Sequence, residues 1–290
     1  MRPSPLSLVG KGTDRRGHQA EDRPDDFAPA CRTFFKKVDL KPHKMRYWLN
    51  SPDKKVDPLE FERRAATVCQ TYAAAPQLHE KGTHTVSTDE KTGMQALERA
   101  AETLPMKPGF IERQEANYIR HGTQALIANF EVATGKVICP TIGDTRTEAD
   151  FAAHIAKTIA SDPQAPWIFV VDQLNTHQSE ALVILVAMLC GITTPLGVKG
   201  KSGILKSKAT RRAFLEDPTH RIRLVYTPRH ASWLNQVEIW FSILARRLLK
   251  RGNFTSTADL KQKLLAFIEY FNNTMAKAFK WTYKGKPLVA

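Results

Sequence analysis

The stretch WIFVVDQ, residues 167–173, constrains the fold more than any other part of the chain. Five aromatic or β-branched residues follow one another without polar alternation. A strand of this kind has both faces covered and belongs to a sheet that carries helices on each side. The segments around it fit that frame. THTVSTDEK (83–91), TQALIANFEV (123–132), KVICPTI (136–142) and RIRLVYTP (221–228) have strand character, and ATGK between the second and third marks a hairpin turn. Helical spacing appears in residues 57–75, with Pro58 at the first turn, and in 147–160, 179–189, 227–251 and from 257 to about 278. An antiparallel meander followed by crossover units predicts an α/β protein with a mixed sheet flanked by helices.

Charge is segregated along the chain. Of 43 Lys and Arg and 29 Asp and Glu, residues 196–290 hold 19 basic and 5 acidic, so the whole formal excess of +14 lies in that last third. A neutral body with a strongly basic end points to a polyanionic partner, most simply nucleic acid. Cys31, Cys69, Cys139 and Cys190 are far apart, which argues against a structural zinc site and a disulfide framework and fits a reducing cytoplasm. The longest apolar run, ALVILVAMLCGI (181–192), is too short to span a bilayer and reads as a buried helix. The N-terminus has no signal-peptide core.

Residues 1–26, rich in Pro, Gly, Arg and Asp, are expected to be disordered. Residues 27–56 form a short basic segment with the character of the end of a small helical unit, and 57–80 a linker helix. Residues 81–290 then form the main domain, interrupted by a Lys- and Gly-rich insertion around 197–220.

Three carboxylates stand out by position. Asp89 follows the apolar part of the first strand, Asp172 ends the most buried strand, and Glu238 lies in the first turns of a late helix, beside a stripe of Trp233, Val237, Trp240, Phe241, Leu244 and Leu248. Strand ends are where α/β folds place ligands, although an Asp there also caps turns and helices. Glu238 has no Lys or Arg among its helical neighbours Leu234, Asn235, Phe241 and Ser242, which leaves a surface ion pair along the helix unsupported. Three acids brought together need cations, and oxygen-only ligands suit Mg²⁺ or Mn²⁺. Trp233 and Trp240 follow the helical stripe and are expected in the core.

The segments VSTDEKTGMQALER, WIFVVDQLNTHQS, YTPRHASWLNQVEIWFSILARR and FKWTYKGKPL resemble the DDE transposases of the insertion-sequence 630 group, in the Tc1/mariner superfamily, from about residue 39 to the C-terminus. The resemblance implies an RNase H-like catalytic domain with Asp89, Asp172 and Glu238 as its catalytic and metal-binding acids. It also implies two Mg²⁺ (or Mn²⁺) ions, Asp89 bridging both while Asp172 and Glu238 hold one each. The implied reaction is metal-dependent cleavage at element ends, then attack of the freed 3′-hydroxyl on target DNA. Double-stranded DNA, both terminal inverted repeats and target, is the implied partner, with a homodimer as the expected assembly and the bacterial cytoplasm, at the nucleoid, as the expected location. Lys36, Lys37, Lys41, His43, Lys44, Arg46, Lys199, Lys201, Lys206, Lys208, Arg211, Arg229, His230, Arg246 and Arg247 are the expected DNA contacts, with His177 and Asn235 supporting the acids. Two features depart from the family. Gln173 to Val237 is 65 residues, longer than usual between the last two acids. Only ACRTFFKKVDLKPHKMRYWLN resembles the family's N-terminal helix-turn-helix module, so residues 27–56 read as the remnant of a truncated copy. The alternatives are an RNase H-like nuclease without strand transfer and a DNA-binding remnant without turnover.

Overall fold

The computed structural model describes Val38, Ser51 and residues 53–113 and 115–283. The expectations for residues 1–26, for most of 27–56 and for Lys36, Lys37, Lys41, His43, Lys44 and Arg46 therefore lie outside the described residues. The chain divides into two units, Met1–Leu49 and Asn50–Ala290, and every described residue except Val38 belongs to the second.

Five strands form one sheet: β1 (His84–Arg99), β2 (Tyr118–Glu131), β3 (Val137–Gly143), β4 (Trp167–Val171) and β5 (Ile222–Tyr226), in the order β3-β2-β1-β4-β5. β1 pairs antiparallel with β2, and β2 with β3, whereas β4 lies parallel to both β1 and β5. This is the mixed sheet expected from the meander and the crossovers. Among the described residues the α-helices are α1 (Asp53–Val56), α2 (Pro58–Glu80), α3 (Glu148–Ile159), α4 (Glu180–Leu189), α5 (Lys208–Leu215), α6 (Val237–Leu244) and α7 (Thr257–Thr274). None is long and apolar enough to cross a membrane.

Local chemistry starts most of these helices. Asp57 accepts from the Glu60 amide at 3.0 Å with Pro58 in the first turn of α2. Thr147 and Asp150 form a reciprocal capping box at α3, and Ser207 and Thr210 form one at α5. The ATGK hairpin closes through the Gly135 amide to the Glu131 carbonyl at 2.8 Å. Gly135 sits at φ 72°, where a Cβ would also collide with the Lys277 backbone.

Both faces of β4 are covered, as its unbroken apolar run requires. On one face Phe151, Ile155, Leu182, Val186 and Leu215 from α3, α4 and α5 pack on Val86, Trp167, Phe169, Val171 and Leu224. On the other, Phe61, Ala65, Val68 and Tyr72 of α2 cover Ile168, Val170 and Val225. The β1–β3 side of that second face holds Trp240, Phe241, Leu264 and Phe271 of α6 and α7 against Leu126, Ala128 and Phe130. Each fully buried Val, Leu, Ile or Phe among them contributes roughly 1.5–3 kcal/mol.

Three expectations change here. The linker helix is a layer of the domain, because its apolar face lies on the sheet. Residues 197–220 are not only a surface insertion: Leu205 and Leu215 are buried in the core. The helix expected over 227–251 is broken. Ser232–Leu234 is a 3₁₀ turn, α6 begins at Val237, and a π-helical turn spans Ala245–Leu249. Trp233 consequently leaves the stripe; it is 48% exposed and meets Tyr283 edge-on, while Trp240 is fully buried.

Candidate active site

Asp89 is not at a strand end. β1 runs ten residues past it, and Asp89 pairs with Ala128 of β2. On its other side the parallel neighbour β4 stops at Val171. Ser87 is level with Val170, and continuing that register puts Asp172 on the same step as Asp89, one strand spacing of about 4.8 Å away. Asp172 directly follows the last residue of β4, and its charge acts on the Asp89 carboxylate.

Glu238 arrives on the first turn of α6. That helix has no side-chain N-cap of its own. Its first amide is capped by the sheet instead: Ser87 Oγ accepts from the Val237 amide at 2.9 Å. Asn235, fully buried, donates through Nδ2 to the Thr88 carbonyl at 3.0 Å and to Asp89 Oδ2 at 3.1 Å, and its Oδ1 accepts from Ser87 Oγ. One hydrogen-bonded knot therefore fixes the start of α6, the β1 backbone and the Asp89 carboxylate. The positive end of the helix dipole lies beside Glu238.

The three acids act on one another. Burial first, then the negative charge of Asp172 and more weakly that of Glu238, push Asp89 up to about 7, although the Glu90 amide donates to its Oδ1 at 2.7 Å and His177 opposes the rise. Glu238 is also raised, by burial and by Asp172, with Lys91 of β1 pulling the other way. For Asp172 burial is outweighed by the hydrogen bond and charge of His177 and by the Leu174 amide, and it sits below its ordinary value. His177 Nδ1 is 2.7 Å from Asp172 Oδ1, while its Nε2 lies 3.8 Å from Glu90 Oε1 on a carboxylate only 1% exposed. Despite burial, these two acids raise His177 to about 9. Phe151 packs at a tilt against the His177 ring, and the His177 carbonyl accepts from the Tyr226 hydroxyl at 2.6 Å.

A model of the DDE superfamily endonuclease family matches residues 84–261, which include all three acids. The chain belongs to that family. Three Mos1 structures are among those similar to this chain. The Mos1 transposase paired-end complex with left transposon end shares 14% identity, 83% of this chain and 62% of that one, with a TM-score of 0.49. The pre-cleavage Mos1 transpososome shares 15% identity, 83% and 63%, at 0.49. The catalytic domain of Mos1 mariner transposase shares 12% identity, 78% and 85%, at 0.42. The chain thus spans about 62% of the length of the first of these. None of the curated proteins compared matches it.

The basic residues expected to meet DNA are placed unevenly on the chain. Lys201, Lys206, Arg229, His230, Arg246 and Arg247 are exposed. Lys199 is exposed but pairs with Glu180 at 3.5 Å and Glu148 at 3.7 Å, and Lys208 donates to Asn175 just after Asp172. Arg211 is 8% exposed, and its guanidinium donates to the Gln178 carbonyl at 2.7 Å and the Leu205 carbonyl at 3.1 Å. That geometry makes it a brace between the insertion and the segment after β4, not an open contact. Three contributors were missed in the sequence. Glu90 is the acid next to Asp89 that points to the opposite face and holds the far side of His177. Lys91 is the cation that faces Glu238 from another element. Arg251 joins Arg246, Arg247 and Tyr270 around a groove of about 630 Å³ beside α6 and α7. The alternation of β1 was a signal for Glu90; nothing local signalled the other two.

Proposed function

We propose that this chain is a DDE-type DNA transposase of the insertion-sequence 630 group, cleaving element ends and joining the freed 3′-hydroxyl to target DNA. The observation that carries the proposal is the convergence of Asp89, Asp172 and Glu238, from two adjacent strands and a helix capped by one of them. Burial, joined by the charges of Asp172 and more weakly Glu238, raises Asp89 to about 7. The donor set fits a divalent metal. It consists of carboxylate oxygens alone, and three mutually repelling acids stay ionised together only beside a cation. Asp89 would hold two ions, and Asp172 and Glu238 one each. Bound Mg²⁺ or Mn²⁺ supplies activation of the attacking oxygen and neutralisation of the leaving oxygen.

The chain's own residues prepare that site. His177 holds Asp172 ionised and in one orientation through the 2.7 Å contact. Asn235 fixes the Asp89 rotamer, and Lys91 lowers the cost of keeping Glu238 charged beside Asp172. The exposed Lys201, Lys206, Arg229, His230, Arg246 and Arg247, with Lys199 and Lys208, would attract the DNA backbone toward an otherwise anionic centre. A homodimer is supported by the segment between β1 and β2, where Leu104, Met106, Phe110 and Ile111 are exposed. Phe110→Asp is expected to shift the light-scattering mass toward the monomer.

The deciding experiment incubates the purified chain with DNA carrying the element ends and a target plasmid. Mg²⁺- or Mn²⁺-dependent nicking and joined products are expected, both lost in Asp89→Ala. Nicking without joined products would identify a nuclease, salt-sensitive binding without turnover a DNA-binding remnant, and cleavage surviving Asp89→Ala would refute the site.

A further inference from the structure

At the start of β1, five residues before Asp89, lies a second group of ligand-type side chains. His79 is on the last turn of α2, His84 opens β1 and Glu131 closes β2. One ligand atom from each, an imidazole nitrogen or a carboxylate oxygen, falls within 4.8 Å of the others. His84 Nδ1 is 2.7 Å from Glu131 Oε1, and His79 Nδ1 is 3.8 Å from the same oxygen. Ligand atoms about 2.1 Å from a tetrahedral ion stand roughly 3.4 Å apart, and these separations bracket that value.

The surroundings are those of a metal ligand set. His84 Nε2 faces Asp162 Oδ2 at 3.2 Å, the contact that orients a metal-bound histidine through its far nitrogen. The Thr134 hydroxyl donates to Glu131 Oε2 at 2.6 Å, fixing the carboxylate. The His84 ring lies flat on Trp167 with centroids 4.2 Å apart, which restricts its rotation. Glu131 is 6% exposed, and among the described residues its ion-pair partners are both histidines. A buried carboxylate needs a compensating charge. A neutral His84 has one N–H to offer and two carboxylates to satisfy. A cation on Nδ1, with Nε2–H given to Asp162, satisfies both.

We propose that His79, His84 and Glu131 bind one Zn²⁺ ion, with the remaining position open to solvent beside the half-exposed His79. Two imidazoles and a carboxylate suit a borderline cation better than Mg²⁺. The site is distinct from the acid centre: His84 and Asp89 are five residues apart on one strand, roughly 17 Å. The wide spacing of the cysteines, which argues against zinc held by thiolates, does not bear on it. The bound ion ties the end of α2 to the start of β1 and the end of β2, so its role is structural.

The test uses the full chain without a histidine tag, carrying Asp89→Asn so that the acid centre does not compete, in excess Mg²⁺. One equivalent of Co²⁺ is expected to give visible absorption that Zn²⁺ abolishes. Zn²⁺ at about 100 times its Kd is expected to raise the melting temperature by roughly 5–10 °C. His79→Ala, at a side chain 39% exposed and so compatible with folding, should weaken Zn²⁺ binding at least about 10-fold. Asp162→Asn should weaken it by a similar factor while leaving the metal-free melting temperature nearly unchanged. Absence of Co²⁺ absorption, a melting temperature indifferent to Zn²⁺, or equal binding by His79→Ala would overturn the proposal and leave His84 as an ion-paired imidazolium.

Discussion

Asp89→Asn is expected to stabilise the metal-free protein while abolishing nicking. Asp89 rises from its ordinary 3.8 to about 7 on folding, for want of water and because Asp172 and Glu238 stand near. A folded-state value above the unfolded one means that the folded protein holds the extra proton between about pH 4 and pH 7. Stability is therefore fully present below pH 4 and is lost as pH rises to 7. A rise of about 3 units corresponds to roughly 4 kcal/mol at pH 8. The amide does not recover all of it. Both Asp89 oxygens accept hydrogen bonds, one from the Glu90 amide and one from Asn235, and an Asn side chain can keep only one of them. That conflict costs about 1–2 kcal/mol, so a net gain of about 2 kcal/mol remains, or roughly 4–8 °C in Tm for a domain of this size. Urea and thermal unfolding in EDTA, from pH 4 to pH 8, read the effect directly. The variant should gain on the wild type with rising pH, and at pH 8 Mg²⁺ should stabilise only the wild type. A variant no more stable than wild type at pH 8 would refute the idea that burial and like charge strain this site.

Three further outcomes follow from the same geometry. Asn235→Ala leaves the Thr88 carbonyl without its donor and frees the Asp89 carboxylate, so urea unfolding should show a loss of about 2–4 kcal/mol. His177→Gln removes the buried cation between Asp172 and Glu90, and nicking should need about 10–100-fold more Mg²⁺ to reach half its maximal rate. For the exposed arginines, fluorescence anisotropy across a salt series should show log Kd against log salt losing about one unit of slope in Arg246→Ala, and again in Arg247→Ala.

Much of this architecture was legible because it rests on local signals. The strand WIFVVDQ declared its own burial, the ATGK turn closed the meander, and capping residues began α2, α3, α4 and α7 within a residue or two of where they were read. The start of α6 was not legible. Its cap is Ser87, 150 residues earlier in the chain, and no helical-wheel argument at Trp233 reveals that. Arg211 looked like one more cation of a basic stretch, yet its neighbours leave two carbonyls that only a buried guanidinium reaches. Glu238 likewise lacked a cation along its own helix, but Lys91 faces it from β1.

The sequence by itself determined most element types, the sheet class and the basic character of the C-terminal third, and marked Asp89, Asp172 and Glu238 as candidates, because periodicity, capping and net charge are properties of neighbouring residues. The tertiary structure decided what those acids feel. Register between parallel strands sets Asp89 beside Asp172, a side-chain knot brings Glu238 to them, and His177 comes to lie between two carboxylates on opposite sides of the sheet. Those are distances across the fold, and protonation and metal affinity depend on such distances and on the water excluded around them.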